Sequence, residues 1–169
     1  RHTTPDTGYE TDPIKLWRNE GDGTFVDVAA ELGLVDDGVG RAVVPVDLDG
    51  DGDLDLVVTH TLDPPLVWRN DAAEVRSWLV VDPRGTSSNR DGYGAEVRVW
   101  PASDSTPMLR LAGNGCGFLG NDPGRPHFGL GTHETVARVE VRWPRSGQIQ
   151  NFFDIPARTV LRVNEPVDE

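Results

Sequence analysis

Apolar and polar residues alternate along this chain in short runs, and this alternation predicts β-strands. In one run Val97 and Val99 flank Arg98, and a similar alternation covers residues 139–143. A period of two places one set of side chains against a core and the other set in solvent. No long run shows the 3.6-residue period of an amphipathic helix. The pattern therefore predicts an all-β fold.

Ten segments have this strand-like character and are bounded by Gly, Asp and Pro residues. Five lie in the first part of the chain, at 13–18, 24–28, 41–47, 54–61 and 65–69. Five follow, at 77–81, 95–100, 108–112, 137–143 and 159–163. Residues 29–34 predict one helical turn closed by Gly33. Trp100 and Trp143 each precede a proline, which predicts strand ends near one rim of a sandwich. We divide the chain into two β units, 1–75 and 76–169.

An internal repeat organises the first unit. Leu-Trp-Arg-Asn at 16–19 returns as Val-Trp-Arg-Asn at 67–70, 51 residues later, with an acidic residue after each. That spacing is close to the period of propeller blades, and only one full period fits. An isolated blade has unpaired edges. We therefore expect it to dock on the second unit, on further blades, or on another copy of the chain.

Composition and net charge argue against some classes of binding partner. The chain has 169 residues, 37% hydrophobic and 26% charged, as in soluble globular proteins. Its formal net charge of -12 argues against nucleic acid and anionic membranes as partners, since phosphates require basic clusters. No apolar run has the length of a membrane span. Cys116 is the only cysteine, so no intrachain disulfide forms, and without a neighbouring base it is expected to be a small buried residue. The chain starts without a signal sequence, so we expect a mature product or a fragment.

Residues 47–55 carry the clearest functional motif. Every second residue is an aspartate, and glycines stand at 50 and 52. Ca²⁺ binds about six to eight oxygen atoms in a flexible shell, and glycine lets a short backbone fold around an ion. Without a cation these carboxylates would repel one another, which disfavours a merely solvated acidic turn. The predicted ligands are the side chains of Asp47, Asp49, Asp51 and Asp55 and the backbone carbonyl of Asp53.

An EF-hand is the main alternative for this motif. It requires a bidentate acid at position 12 of its loop, and that position is Val58 here. Both flanks are also strand-like, so a strand–loop–strand site is favoured. Residues 19–23, Asn-Glu-Gly-Asp-Gly, lack the acidic alternation and predict a hairpin turn instead.

A second candidate site is the polar loop that contains Asn89, Arg90 and Asp91. As a binding site, Arg90 would suit a carboxylate, and Asn89 with Asp91 would suit sugar hydroxyls. Because Asx residues stabilise turns, a structural role is favoured.

Histidines offer a third possibility, which is less favoured. His127 could be a metal ligand or general base with His60 or His133, but no pair has the close spacing of a zinc site. A histidine in a turn, bonded to the backbone, is the preferred interpretation of His127.

Residues 19–34 and 41–70 resemble the FG-GAP or VCBS repeat. The resemblance implies blades of an integrin-type β-propeller that hold Ca²⁺ in a hairpin loop, and residues 47–55 match that loop. The chain would then contain the end of one blade and most of the next.

Residues 78–165 resemble the ASPIC/UnbV domain. The matching motifs are Ser-Asn-Arg-Asp-Gly-Tyr-Gly-Ala at 88–95, His-Phe-Gly-Leu-Gly at 127–131 and Val-Arg-Trp-Pro at 141–144, with a glycine-rich stretch at 113–118. We expect partial propeller-type blades with a calcium loop, followed by a β-sandwich-like domain.

The resemblance implies an exported protein, extracellular or periplasmic, that binds a protein or a glycan. The alternative is an enzyme or enzyme accessory acting on a secondary metabolite or polysaccharide, suggested by the enediyne-cluster protein that shares the domain's name. A pocket joining Arg90, Asp91 and His127 would favour the enzyme.

Overall fold

The computed structural model describes residues 13–36, 38–61, 63–71, 76–113, 120 and 124–167. Across these ranges every regular element is a β-strand, and the strands form four sheets. The predicted all-β fold is confirmed. Cys116 and residues 72–75, where we expect the two units to meet, lie outside the described ranges.

The first unit consists of two small antiparallel sheets. Its strands are β1 (Trp17–Asn19), β2 (Phe25–Asp27), β3 (Gly40–Val46), β4 (Asp55–His60) and β5 (Leu66–Trp68). β1 pairs with β2, which confirms the hairpin turn predicted between them. In the other sheet β4 lies between β3 and β5. β3 and β5 are therefore the edges of this sheet, as expected for an incomplete blade.

The predicted helical turn at residues 29–34 follows β2. Gly33 N donates to Ala30 O at 3.2 Å, and Leu34 N donates to Ala29 O at 2.9 Å. This pair of hydrogen bonds ends a helical turn when a glycine adopts positive φ, and φ is 70° at Gly33.

The second unit is a sandwich of two sheets. Its strands are β6 (Ser77–Arg84), β7 (Glu96–Trp100), β8 (Met108–Leu111), β9 (His127–Gly131), β10 (Thr135–Arg142), β11 (Ile149–Pro156) and β12 (Thr159–Asn164). One sheet has the order β11-β10-β7-β8 and the other β12-β6-β9. β12 runs parallel to β6, whereas the other pairs are antiparallel.

The main hydrophobic core lies between these two sheets. Both sheets contribute fully buried side chains, which confirms the predicted β-sandwich. The members of this core are Leu79, Val81, Ala95, Val97, Val99, Ala112, Phe128, Leu130, Val136, Val139, Val141, Trp143 and Val163. Val97 and Val99 of β7 and Val139 and Val141 of β10 are the alternating residues that predicted strands.

Two strands and one detail of the sandwich differ from the sequence prediction. β9 was expected to be a turn, because Gly129 and Gly131 stand at its outward positions and hide the alternation. β11 lacks regular alternation, since it exposes Phe153 at the edge of the sheet. Trp100 and Trp143 lie at opposite ends of the sheet, not at one rim, because the strands that they end are antiparallel.

Candidate metal centre

The acidic motif forms the hairpin loop between β3 and β4, as the strand–loop–strand interpretation requires. Asp47 follows β3 directly, and Asp55 begins β4. The two glycines of the loop, Gly50 and Gly52, have φ angles of 81° and 97°. These values lie in the left-handed region, which is accessible to glycine at little cost.

Three of the five predicted ligands come together. Asp47, Asp49 and Asp51 each offer one carboxylate oxygen within 4.8 Å of the other two. Like charges at that separation repel by on the order of 1 kcal/mol per pair in a water-like dielectric. The donor set therefore fits a hard divalent cation, which prefers carboxylate oxygens and would remove the repulsion.

Backbone amides hold these carboxylates in place. Asp47 accepts hydrogen bonds from Gly50 N at 2.7 Å and from Gly52 N at 3.2 Å. Asp49 accepts from Asp51 N at 3.3 Å, and Asp51 accepts from Asp53 N at 3.0 Å. The loop is thus folded around its own acidic side chains.

The side chains of Asp53 and Asp55 lie outside this group of carboxylates, and ligation by the Asp53 backbone carbonyl stays a prediction. Asp53 and Asp55 are buried, at 7% and 1% exposure. The two carboxylate oxygens of Asp55 accept hydrogen bonds from Leu48 N and from Asn70 N, both at 2.9 Å. Asp55 therefore ties the start of the loop to the segment after β5. Coordination of a cation by the Asp55 side chain stays a prediction. It would require the cation to replace one of these two amide hydrogen bonds.

Asn89, Arg90 and Asp91 form a self-contained turn. Asn89 Oδ1 accepts from Asp91 N at 2.9 Å, as in an Asx turn. Arg90 Nη2 lies 3.1 Å from Asp91 Oδ2, and Arg84 Nη1 lies 3.1 Å from Asp91 Oδ1. These ion pairs lower the pKa of Asp91, the hydrogen bond from Arg90 contributing most. All three side chains thus have partners within the protein, which favours the structural role.

Two open cavities lie near this loop, and neither joins the residues expected of an enzyme. The larger, of about 400 Å³, is lined by Ser87, Ser88, Asn89, Pro144 and Arg145. The smaller, of about 280 Å³, is lined by Gly94, Glu96, Arg142, Trp143, Pro144 and Gly147. His127, Arg90 and Asp91 line neither of them.

The three histidines have separate surroundings. His127 Nε2 donates to Gly52 O at 2.8 Å, so His127 bonds to backbone as expected, although from a strand. His133 is exposed in the turn after β9. The side chain of His60 is 2% exposed, and it donates from Nδ1 to Pro64 O at 2.9 Å and from Nε2 to Asp36 Oδ2 at 2.9 Å.

His60 and Asp36 form an ion pair that the sequence did not indicate. Both ring nitrogens of His60 face acceptors, so the ring is best satisfied as an imidazolium. The hydrogen bond with Asp36 raises the pKa of His60, against the opposite effect of burial. Burial by itself would raise the pKa of Asp36, but hydrogen bonds from His60 and Gly38 N lower it.

A buried carboxylate in β6 was also missed. Asp82 is 2% exposed and is surrounded by three guanidinium groups. Arg162 Nε lies at 2.9 Å, Arg84 Nη2 at 3.0 Å and Arg125 Nε at 3.4 Å from its carboxylate. An acidic residue directly after the apolar run 78–81 was the one available signal.

Glu165 anchors the end of β12. It is 2% exposed, and its Oε2 accepts from the amides of Thr86, Ser87 and Ser88 at 2.7–2.9 Å. Its Oε1 accepts from the hydroxyls of Ser88 and Ser146 at 2.7 and 2.8 Å. Burial alone would raise the pKa of Glu165, but these hydrogen bonds lower it from 4.5 to about 2. No local pattern marks this residue, because its partners are distant in sequence.

Comparison with known families agrees with this architecture. The family model described as ASPIC and UnbV matches residues 85–169. The chain belongs to the ASPIC and UnbV family. A model of the FG-GAP-like repeat matches residues 7–58, which include the acidic loop. The two resemblances drawn from the sequence are thereby confirmed, and this combination is typical of extracellular β-type interaction modules.

Curated relatives of this ASPIC and UnbV chain share one name. Cartilage acidic protein 1 of Homo sapiens is 33% identical over 156 residues, which cover 90% of this chain and 23% of the relative. The Mus musculus protein is also 33% identical over 156 residues, 90% of this chain and 24% of its own length. That of Xenopus tropicalis is 34% identical over 131 residues, 70% of this chain and 20% of the relative. This chain thus spans about a quarter of the length of the relatives it matches, and their name describes no enzymatic activity.

Within the described ranges, no helix has the length and apolar character needed to cross a membrane.

Proposed function

We propose that this chain is a calcium-stabilised, exported interaction module, in which the 47–55 loop binds Ca²⁺ and the β units present a surface to a protein or glycan. The observation that carries the proposal is the convergence of Asp47, Asp49 and Asp51, whose carboxylate oxygens lie within 4.8 Å of one another. The FG-GAP-like match over residues 7–58 supports it.

The cation would be structural. It would neutralise the three carboxylates and hold the loop that joins β3 to β4, whose register begins with Val46 opposite Asp55. A loop held in this way keeps the two strands in register. An exported location suits such a site, since extracellular calcium modules bind Ca²⁺ with dissociation constants of about 10⁻⁴ to 10⁻³ M.

The first unit exposes apolar side chains and strand edges that suit a protein contact. Trp17, Phe25, Val43 and Val67 are each at least half exposed, at 58%, 57%, 50% and 55%. Trp17 and Phe25 share one face of the β1–β2 hairpin, whereas Val43 and Val67 lie on opposite faces of the other sheet. The edges β3 and β5 of that sheet can accept another strand. Further blades, a different protein or a second copy could cover these side chains and edges, and sedimentation of the purified chain would separate the last case from the other two.

Thermal unfolding tests calcium binding directly. A ligand that binds only the folded state at about a hundredfold its dissociation constant stabilises it by about 3 kcal/mol. At this size the melting temperature should rise by several degrees in Ca²⁺ relative to a chelator. Asp49→Ala should abolish that rise. Asp22→Ala, which removes an acid from the 19–23 turn, should keep it.

The proposal would be overturned by identical melting curves of the wild type in Ca²⁺ and in chelator. Mg²⁺ provides a further comparison, because it demands near-octahedral geometry and gives up its water reluctantly. We expect it to stabilise the chain less than Ca²⁺ does.

A further inference from the structure

The tip of the acidic loop lies against the second unit. Gly52 is buried, and its carbonyl accepts a hydrogen bond from His127 Nε2 at 2.8 Å. His127 is the first residue of β9 and belongs to the His-Phe-Gly-Leu-Gly motif. In that motif Phe128 and Leu130 point into the sandwich core, at 0% and 3% exposure. The strand alternation therefore turns His127 to the opposite face of the sheet, towards the loop.

An indole ring completes the contact. A Cβ at Gly52 would lie 1.8 Å from Trp78 Cε2 and 2.0 Å from its Nε1. The Trp78 and His127 rings stack, with centroids 6.4 Å apart and planes inclined by 19°. Together these two side chains make the contact of the second unit with Gly52, and we call them the Trp78–His127 platform. Glycine is required at this position both by its φ of 97° and by the closeness of the indole.

The backbone at Gly52 is also bonded to two of the proposed ligands. Gly52 N donates to Asp47 Oδ2 at 3.2 Å, and the next amide, Asp53 N, donates to Asp51 Oδ1 at 3.0 Å. Asp53 N and the Gly52 carbonyl belong to one peptide group, which therefore contacts Asp51 on one side and His127 on the other. We expect a shift of Asp47 or Asp51 onto a cation to move the Gly52 backbone and so to alter its contact with the platform.

A second contact joins the two units away from the loop. A Cβ at Gly120 would lie 3.0 Å from Val44 Cγ2 and 3.5 Å from Val43 O, so the chain at 120 packs on β3. Loss of the platform should therefore weaken the contact between the units without separating them.

We infer that the Trp78–His127 platform is a docking surface that holds the acidic loop in its cation-binding shape, so that Ca²⁺ binding and docking of the two units stabilise each other. This inference rests on the proposed function. It gives the His-Phe-Gly-Leu-Gly motif of the second unit a positioning role towards the metal loop of the first. Coupling between two sites is reciprocal, and it typically changes affinity by about 5- to 150-fold.

Calorimetric titration of the full chain with Ca²⁺ tests the coupling. His127→Ala should raise the dissociation constant on the order of tenfold, and Trp78→Phe should raise it less. His133→Ala is the matched control, since it removes an exposed histidine from the turn after β9, and it should bind like the wild type. If His127→Ala binds within twofold of the wild type, the inference is wrong while the proposed function stands. If the wild type does not bind Ca²⁺, both are wrong.

Hydrogen exchange measures the same coupling in the unmodified chain, so it remains a test if the His127 variant fails to fold. Adding Ca²⁺ to the chelated protein should slow exchange in peptides that cover β6 and β9, because the platform strands gain stability with the loop. Peptides that cover β11, on the other sheet, serve as the internal reference. Slowing confined to the 47–55 loop would overturn the inference.

Discussion

Replacing Glu165 with glutamine should destabilise the protein strongly and with a particular pH dependence. Five donors surround this buried carboxylate: three amides of residues 86–88 and the hydroxyls of Ser88 and Ser146. A folded-state pKa of about 2 against an ordinary value of 4.5 corresponds to about 3 kcal/mol of stability at pH 7. The glutamine amide would also turn a donor towards these donors, so at least that loss is expected from Glu165→Gln.

The sign of the pH dependence follows from the lowered pKa. The contribution of the Glu165 carboxylate is fully present above 4.5 and is lost as pH falls towards about 2. The difference in unfolding free energy between wild type and Glu165→Gln should therefore be constant from pH 7 to about pH 5. At pH 3 it should be smaller by about 2 kcal/mol, because the carboxylate contribution has largely disappeared while the cost of the glutamine amide does not change with pH.

Urea denaturation followed by tryptophan fluorescence measures this difference, since Trp143 is fully buried in the same unit. Glu134→Gln is the matched control because Glu134 is exposed, and it should change stability by less than about 0.5 kcal/mol. A loss below about 1 kcal/mol for Glu165→Gln at pH 7, or an equal loss at pH 3, would refute the reasoning.

Two further predictions concern the His60–Asp36 ion pair and the turn at Gly92. The raised pKa of His60 means that its pairing with Asp36 stabilises the fold fully below pH 6.5 and that this contribution disappears as pH rises through the folded-state value. An NMR titration should place that value above 6.5, and a value below 6.5 would contradict the ion pair. Gly92→Ala should cost at least about 2 kcal/mol more than Gly147→Ala in denaturant melts. Both glycines have positive φ, but only a Cβ at Gly92 would meet Pro83, at 2.6 Å; equal losses would mean that the contact relaxes.

Sequence patterns predicted those parts of the candidate site that depend on near neighbours in the chain. Alternate aspartates on a tight hairpin bring Asp47, Asp49 and Asp51 together because side chains two residues apart can converge when the backbone turns. The same alternation could not show that the Asp55 side chain lies outside this group. Its carboxylate is bonded to Asn70 N, a residue that the topology of β4 and β5 brings to it.

Tertiary partners account for what the sequence analysis missed. Asp82 contacts Arg162, 80 residues away, and Glu165 contacts Ser88, 77 residues away. These pairs exist because β12 lies parallel to β6, an arrangement for which neither strand carries a local signal. β9 was missed for a different reason, since glycine at its outward positions removes the polar half of the alternation.

By itself, the sequence determined the all-β class and the acidic hairpin, because each depends on alternation, turn residues and spacing within a short segment. Only the tertiary structure decided that Gly52 contacts Trp78 and His127, and that His127 lies beside the loop and not in either of the two cavities. Which strands become neighbours depends on how the sheets pack their apolar faces, and this packing involves residues distant in the chain. Contacts across 75 residues, such as that of His127 with Gly52, follow from that packing and not from any local pattern.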